Sequence, residues 1–452
     1  MKVSVFGLGK LGLCTAACFA ARGHQVWGYD ADPAVMASLQ ARENPLQETG
    51  LDDLLAQAWS NLSLTNQPAT LVQDTDISLI IVPTPSQPDG CFSNQAVETV
   101  LRLIGPALRQ KKTFHVVDIV STVMPGSCLR VFQPLLEKLS GKICGKDFGL
   151  AYNPEFIALG SVIHNFLNPD LVLIGASDPL TGEVVRQLYR YSCDNQPHFA
   201  LMSLINAEIT KLSLNCYVTM KITFANELAA ICELLPGAEA NVITRALGAD
   251  TRIGGKCLKG GLGFGGPCFP RDNLAFQAFA REAGWEAQLA PRVIEVNNDI
   301  PRRLVGLLRR YLREKSHVAL LGIAYKPDTP VVEESQALMV AQQLAQAGFT
   351  VQVHDPRALY QARKILGDLV HYCPDPQICL KNAHAIVLLT NWPIYARWDW
   401  PALAELTAPE PLLLDCWGTL KGKIPPKFRY LCVGVGAAPC YEDPIYEPAA
   451  NL

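Results

Sequence analysis

A single thiol sits in the most heavily punctuated stretch of the chain. GLGFGGPCFPRD, Gly261 to Asp272, sets Cys268 among glycines and prolines and places a carboxylate, Asp272, four residues beyond it. A thiolate is a strong nucleophile where cations or a helix N-terminus favour its charge, and constrained backbone fixes its line of attack. The chain has 15 cysteines, so type alone singles out none of them, and most cysteines are small core hydrophobes. Asp272 either shares protons with water or Lys211, or caps a helix beginning near Asn273.

Lys211 and Asn215 are four residues apart and so share one helix face, among Leu212, Leu214, Tyr217 and Val218. A lysine with an amide beside it can hold a developing oxyanion; the alternative is the solvated face of an amphipathic helix. STVMPGS, Ser121 to Ser127, follows a strand and offers Thr122 as a hydroxyl to hold a water, or as part of a locally bonded turn. NPEF, Asn153 to Phe156, puts Glu155 at the C-terminal end of a strand, where α/β sites assemble, although a surface glutamate would read the same.

Gly7, Gly9 and Gly12 form GxGxxG between a strand, KVSVF, and an Ala-rich helix, and Asp30 closes the next strand, HQVWGYD. Glycines let backbone approach a pyrophosphate at a helix N-terminus, and an acid at that place accepts from a ribose 2′-OH and repels a 2′-phosphate. NAD is expected over NADP; close helix packing is the alternative use of the glycines. A second glycine turn, at Gly322, lacks the triple pattern, and Lys326 beyond it either meets a diphosphate or is a solvated loop lysine.

These residues need a scaffold of strands and crossover helices. ISLIIVP, FHVVDIV and GLAYNPE continue the βαβ series of the first thirty residues. HVALLGIAYKPDT, TVQVHDP and HAIVLLTNW open a second one, with a helix from Ser335. Between them helix-period residues dominate, and the run without Gly or Pro from His198 to Leu235 reads as one long helix. The expected fold is α/β: two Rossmann-like doubly wound domains, residues 1–199 and 306–452, joined by a central helical domain, 200–305.

Hydrophobic residues make up 49% and charged residues 18%, which excludes disorder as the main state. A net charge of −3 offers no broad attraction for nucleic acid or anionic lipid. Glycines at 7, 9 and 12 break any signal-peptide core, and Glu208, Lys211, Lys221, Glu227 and Glu233 make the long helix too costly for lipid. Scattered cysteines without metal-type spacing favour reduced thiols and a cytoplasmic protein.

Taken in order, GLGKLG, VPTPS, STVMPGS, NPEF, AEITKLSLNCYVTMKITFANE, GLGFGGPCFPRD, LGIAYKPDT and HDP resemble the UDP-glucose/GDP-mannose dehydrogenase family across nearly the whole chain. The resemblance implies an NAD-binding domain, a central dimerisation region and a nucleotide-sugar domain, in a homodimer or higher homo-oligomer. It implies a four-electron oxidation of a sugar C6 alcohol to a carboxylate, with two NAD reduced in succession. UDP-glucose is the expected substrate, ahead of a UDP-N-acetylhexosamine and GDP-mannose; a catalytically silent sensor of NAD and nucleotide sugar is the alternative class. On this resemblance Cys268 forms a thiohemiacetal and then a thioester, Lys211 and Asn215 stabilise the oxyanion, and Asp272 works with the lysine and a water. Thr122 helps hold that water and Glu155 is the base for thioester hydrolysis. Gly7, Gly9, Lys10, Leu11, Gly12, Asp30, Thr84, Thr122 and Arg271 would contact the cofactor. Phe156, Lys211, Asn215, Gly261, Phe264, Gly265 and Lys326 would contact the sugar nucleotide. Pro267 before the cysteine, Arg271 for a lysine, and Glu333 and Trp417 at arginine positions depart from the family pattern and point to altered recognition.

Overall fold

The computed structural model of the chain describes residues 1–46, 48–157 and 160–436, so the end of the expected 306–452 domain lies outside the described residues. The chain divides into two compact units: Met1–Leu214 with Ala275–Glu286, and Asn215–Leu274 with Ala287–Leu452.

The first unit carries an eight-stranded sheet. Its strands are β1 (Lys2–Phe6), β2 (Gln25–Tyr29), β3 (Leu62–Leu64), β4 (Ile77–Ile80), β5 (Val116–Ile119), β6 (Gly149–Tyr152), β7 (Leu171–Ala176) and β8 (His198–Met202). They run in the order β3-β2-β1-β4-β5-β6-β7-β8. All pairs are parallel except β6 with β7. Val3 and Val5 point into one core with the helix Lys10–Ala21, whereas Phe6, Ile80 and Ile119 point into another. Burial on both faces is why these strands read as nearly continuous apolar runs. Chain order reverses between β1 and β4, which opens the crevice where doubly wound sheets hold ligands.

The second unit carries a six-stranded sheet. Its strands are β9 (His317–Leu321), β10 (Thr350–His354), β11 (His371–Tyr372), β12 (Ala385–Leu388), β13 (Leu412–Asp415) and β14 (Arg429–Cys432), all parallel, in the order β11-β10-β9-β12-β13-β14. Ser335 accepts the N–H of Leu338 and so caps the helix Gln336–Gln346, as its placement in the sequence predicts.

The long helix spans Leu204–Glu233, not the whole of the run from His198. His198–Met202 pairs instead with β7, a correction of the helical reading: absence of glycine and proline permits a helix, and sheet pairing took those residues first. Among the described residues no helix is long and apolar enough to cross a membrane.

The long helix buries a polar row beside its apolar one, which includes Leu204, Ala207, Leu212, Ala225 and Ala229. Glu208, Lys211, Asn215, Thr219, Thr223 and Asn226 recur every three or four residues and are all buried. Tyr217, Phe224 and Ile231, seven apart, are 55%, 47% and 49% exposed. The solvated-face alternative for Lys211 and Asn215 is therefore wrong.

Candidate active site

The three glycines of the first turn do different work. Gly7 has φ of +96°, and a Cβ there would lie 2.2 Å from the Ile81 carbonyl oxygen; one on Gly12 would lie 1.9 Å from the Gly7 carbonyl oxygen. Those two are required by packing alone. Gly9 is exposed, stands at the N-cap of the helix Lys10–Ala21, and has nothing within 4 Å of its missing Cβ. It leaves open backbone at a helix N-terminus, the feature a pyrophosphate needs. Lys10 is exposed and Leu11 half-buried beside it. Asp30 Oδ2 accepts the Leu8 N–H at 2.6 Å and Oδ1 accepts the Asp32 N–H at 2.8 Å, which holds the carboxylate against the turn. Thr84 donates to the Thr122 carbonyl at 2.7 Å, tying the loops after β4 and β5 together. The residues fit NAD.

The second turn repeats this geometry and then closes it. Gly322 N–H donates to the His354 carbonyl at 2.8 Å, as Gly7 N–H does to Tyr29 at 2.8 Å. Asp355 occupies the place of Asp30, yet it is buried and takes N–H groups from Ile323, Ala324, Arg357 and Ala358 and the Trp392 indole. A carboxylate so saturated has little left for a ribose hydroxyl. Lys326 is half-buried beyond this turn, its Nζ 6.0 Å from the Tyr325 ring centroid.

In the first unit, Lys211 Nζ donates to the Glu155 carbonyl at 2.5 Å and lies 4.4 Å from the Phe156 ring centroid. Tyr189 donates its hydroxyl to Glu155 Oε1 at 2.6 Å. Desolvation pushes the Glu155 carboxyl up to about 7, against the opposing pull of the Tyr189 hydrogen bond and the Lys211 charge. A carboxyl balanced there can take and return a proton near neutrality, which a surface glutamate cannot.

In the second unit, Asn215 Nδ2 donates to Asp272 Oδ2 at 2.6 Å, and Arg271 Nε stands 3.5 Å from Oδ1. Asp272 is buried in the first turn of the helix Phe269–Glu282, and its N–H donates to the Cys268 carbonyl at 2.8 Å. The helix starts ahead of Asp272, so the expectation that it caps a helix near Asn273 is overturned. Cys268 immediately precedes that helix, is exposed and forms no disulfide. Rival thiols are disfavoured: Cys14 and Cys216 are each pushed up to about 12, chiefly by burial.

The loop ahead of the cysteine is held from below by two buried asparagines. Asn226 Oδ1 accepts the Gly261 N–H at 2.9 Å; Asn297 accepts the Phe264 N–H at 2.8 Å and donates to the Phe264 carbonyl at 3.0 Å. A Cβ on Gly263 would lie 2.2 Å from Asn297 Oδ1, and one on Gly265 would lie 2.2 Å from the Glu334 carbonyl oxygen. Gly261 abuts the Trp417 indole, where a Cβ would come within 2.8 Å of the ring. Trp417 is pinned by its Nε1–H to the Leu389 carbonyl at 2.8 Å. Gly266 N–H donates to the Glu333 carbonyl at 3.0 Å. Of the supporting residues, Asn226 had a sequence signal, falling on the face of Lys211 and Asn215; Tyr189 and Asn297 had none.

The comparisons with known proteins agree along the chain. Residues 1–193, 205–299 and 319–422 match, in turn, the NAD-binding, central and UDP-binding domains of the UDP-glucose/GDP-mannose dehydrogenase family. A UDP-glucose 6-dehydrogenase of Haloferax volcanii is 34% identical over 402 residues, 88% of this chain and 93% of that protein. A GDP-mannose 6-dehydrogenase of Pseudomonas syringae is 32% identical, covering 80% and 82%. The structure of a UDP-glucose dehydrogenase from Pyrobaculum islandicum superposes with a TM-score of 0.85 at 34% identity, covering 96% of this chain and 98% of that one.

Proposed function

The chain belongs to the UDP-glucose/GDP-mannose dehydrogenase family, and from that premise we propose that it oxidises UDP-glucose at C6 to UDP-glucuronate. It is an NAD-dependent nucleotide-sugar 6-dehydrogenase. The observation that carries the chemical reading is Cys268: exposed, undisulfided, at a helix N-terminus, one turn before a buried carboxylate.

Bound NAD supplies the hydride acceptor, once for the alcohol and once for the thiohemiacetal. Cys268 adds its sulfur to the C6 aldehyde, so the intermediate stays attached between the two oxidations. Lys211 and Asn215 stabilise the oxygen at C6 as it gains charge, and the Asn215 amide holds Asp272 in place to exchange protons with water. Thr122 supports the water. Glu155 takes a proton from water as it attacks the thioester, and the sulfur leaves to re-form the free thiol. Gly261, Phe264 and Gly265 present backbone to the sugar nucleotide, Phe156 flanks it and Lys326 meets its diphosphate. Arg271 and Thr84 complete the cofactor side.

Trp417, which packs against Gly261 and stands where the family pattern has an arginine, keeps a second substrate reading open, a UDP-N-acetylhexosamine or GDP-mannose. A panel of UDP- and GDP-sugars with NADH counted per sugar tests both. Two NADH and an acid support the reading; one NADH with free aldehyde rejects the thioester route, and binding without NADH favours a sensor.

The exposed Tyr217, Phe224 and Ile231, aligned every second turn on one side of the long helix, support a homodimer built on that helix. We place the enzyme in the cytoplasm, on the scattered, unpaired spacing of its cysteines in the sequence. We assign 1–199 to NAD, 200–305 to the central helices and 306–452 to the nucleotide sugar.

A further inference from the structure

Glu208 lies one turn before Lys211 on the same helix face, is fully buried, and has none of the roles above. Its Oε2 accepts the Gly126 N–H at 2.6 Å and its Oε1 the Cys128 N–H at 2.8 Å. Gly126 lies near the end of STVMPGS and Cys128 just after it, where the chain enters a π-helical turn, Cys128–Phe132, that runs on into the helix Gln133–Ser140. A carboxylate there satisfies two otherwise orphaned donors and complements the positive end of the helix.

Capping alone does not explain the choice. Ser, Thr or Asn within the loop would cap it without burying a charge, which is costly. Burial pushes the Glu208 carboxyl up, and only the Cys128 and Gly126 N–H groups, with the neighbouring Cys128 thiol and Arg130, pull it back. The cap used instead comes from 80 and 82 residues away in sequence, on the element that carries the lysine.

The other end of the same loop is also fastened. Ser121 Oγ accepts the Val82 N–H at 2.9 Å and donates to the Val82 carbonyl at 2.7 Å, and Thr84 donates to the Thr122 carbonyl at 2.7 Å. The loops after β4 and β5 are thus fastened to each other at two points. The long helix holds the loop after β5 through Glu208 and, one turn on, holds the Glu155 turn through Lys211.

Resting on the dehydrogenase reading above, we infer that Glu208 is a positioning residue: it registers the loop carrying Thr122 against Lys211 and the Glu155 turn. The water-supporting hydroxyl, the lysine and the general base then keep one mutual geometry through both oxidations and hydrolysis. Misplacement of about 1 Å in such a set can cost about a hundredfold in rate.

The test is E208Q, which keeps the shape but turns one acceptor into a donor facing an N–H. We expect kcat to fall about tenfold to a hundredfold, with KM for the sugar nucleotide within about threefold of wild type. T122V should slow the enzyme too, and E208Q/T122V should be no more than about threefold slower than the slower single variant, because both act on one loop. Wild-type kcat with a lowered Tm would make Glu208 a structural cap and overturn the inference. So would multiplicative effects in the double variant. If E208Q does not fold, E208D, which keeps the charge but cannot span both N–H groups, is read by the same outcomes. Wild type assayed alongside separates the two levels: if it forms no acid, the dehydrogenase reading fails; if it forms acid and E208Q matches it, only the role of Glu208 fails.

Discussion

Asn215 donates its amide to Asp272 Oδ2 at 2.6 Å, so the buried polar face of the long helix reaches the carboxylate that stands one turn behind Cys268. On the proposed chemistry, the pair links an oxyanion donor to a proton acceptor in one hydrogen bond. D272N, which preserves shape and removes charge, should lower kcat about a hundredfold or more while NAD affinity, measured by titration, stays within about twofold. Undiminished turnover would detach Asp272 from the chemistry.

With Cys268 as the proposed nucleophile, C268A should form no acid above background and still bind NAD. Mass spectrometry of wild type quenched during turnover should show a sugar-nucleotide adduct on the peptide containing residue 268. Acid production by C268A would remove the assignment.

As the proposed base, Glu155, pushed up to about 7 by burial, should set the pH dependence. A base must be deprotonated to act, so kcat should fall about tenfold per pH unit below that value. Y189F removes a donor that stabilises the charged carboxylate and should move this limb to higher pH. Stability changes in the same window: the folded value lies above the ordinary 4.5, so the buried charge destabilises the fold fully above about 7 and ceases to do so as pH falls below 4.5. E155Q should therefore raise Tm near pH 8, and the gain should shrink near pH 5. A pH-independent Tm difference would contradict the burial of that charge.

If Asp30 meets a ribose hydroxyl as proposed, D30A should weaken NAD about tenfold and narrow the preference over NADP by a similar factor. Initial rates with the two cofactors decide it; an unchanged preference removes Asp30 from the ribose.

Gly265 has no room for a side chain, because a Cβ would lie 2.2 Å from the Glu334 carbonyl oxygen. G265A must displace the loop and should cost about tenfold or more in kcat/KM for the sugar nucleotide. G9A, with nothing within 4 Å of its Cβ, should fold normally and lose NAD affinity instead. Circular dichroism with cofactor titration separates the two.

Much of the site was legible because its chemistry is written in local order. Gly7, Gly9, Gly12 and Asp30 announce a cradle between strand and helix, and Cys268 and Asp272 stand one helical turn apart in any fold that starts a helix there. The alternation of apolar runs and helical segments, with Ser335 as a cap, carried the two doubly wound sheets. Spacing alone also put Lys211 and Asn215 on one face.

Which face was buried lay beyond the reach of spacing. Helical periodicity divides a helix into two sides, and the usual rule sends polar residues to water; here Glu208, Lys211, Asn215 and Asn226 point inward while Tyr217, Phe224 and Ile231 point out. Partners far apart in sequence made that burial stable: Gly126 and Cys128 for Glu208, the Glu155 carbonyl for Lys211, Asp272 for Asn215 and Gly261 for Asn226. Tyr189, which holds Glu155, and Asn297, which grips Phe264, were equally silent until the chain folded. Residue type and spacing determined what each group could do; tertiary structure decided which polar groups were withdrawn from water and given partners, since a buried polar group is tolerated only where a distant segment supplies its hydrogen bonds.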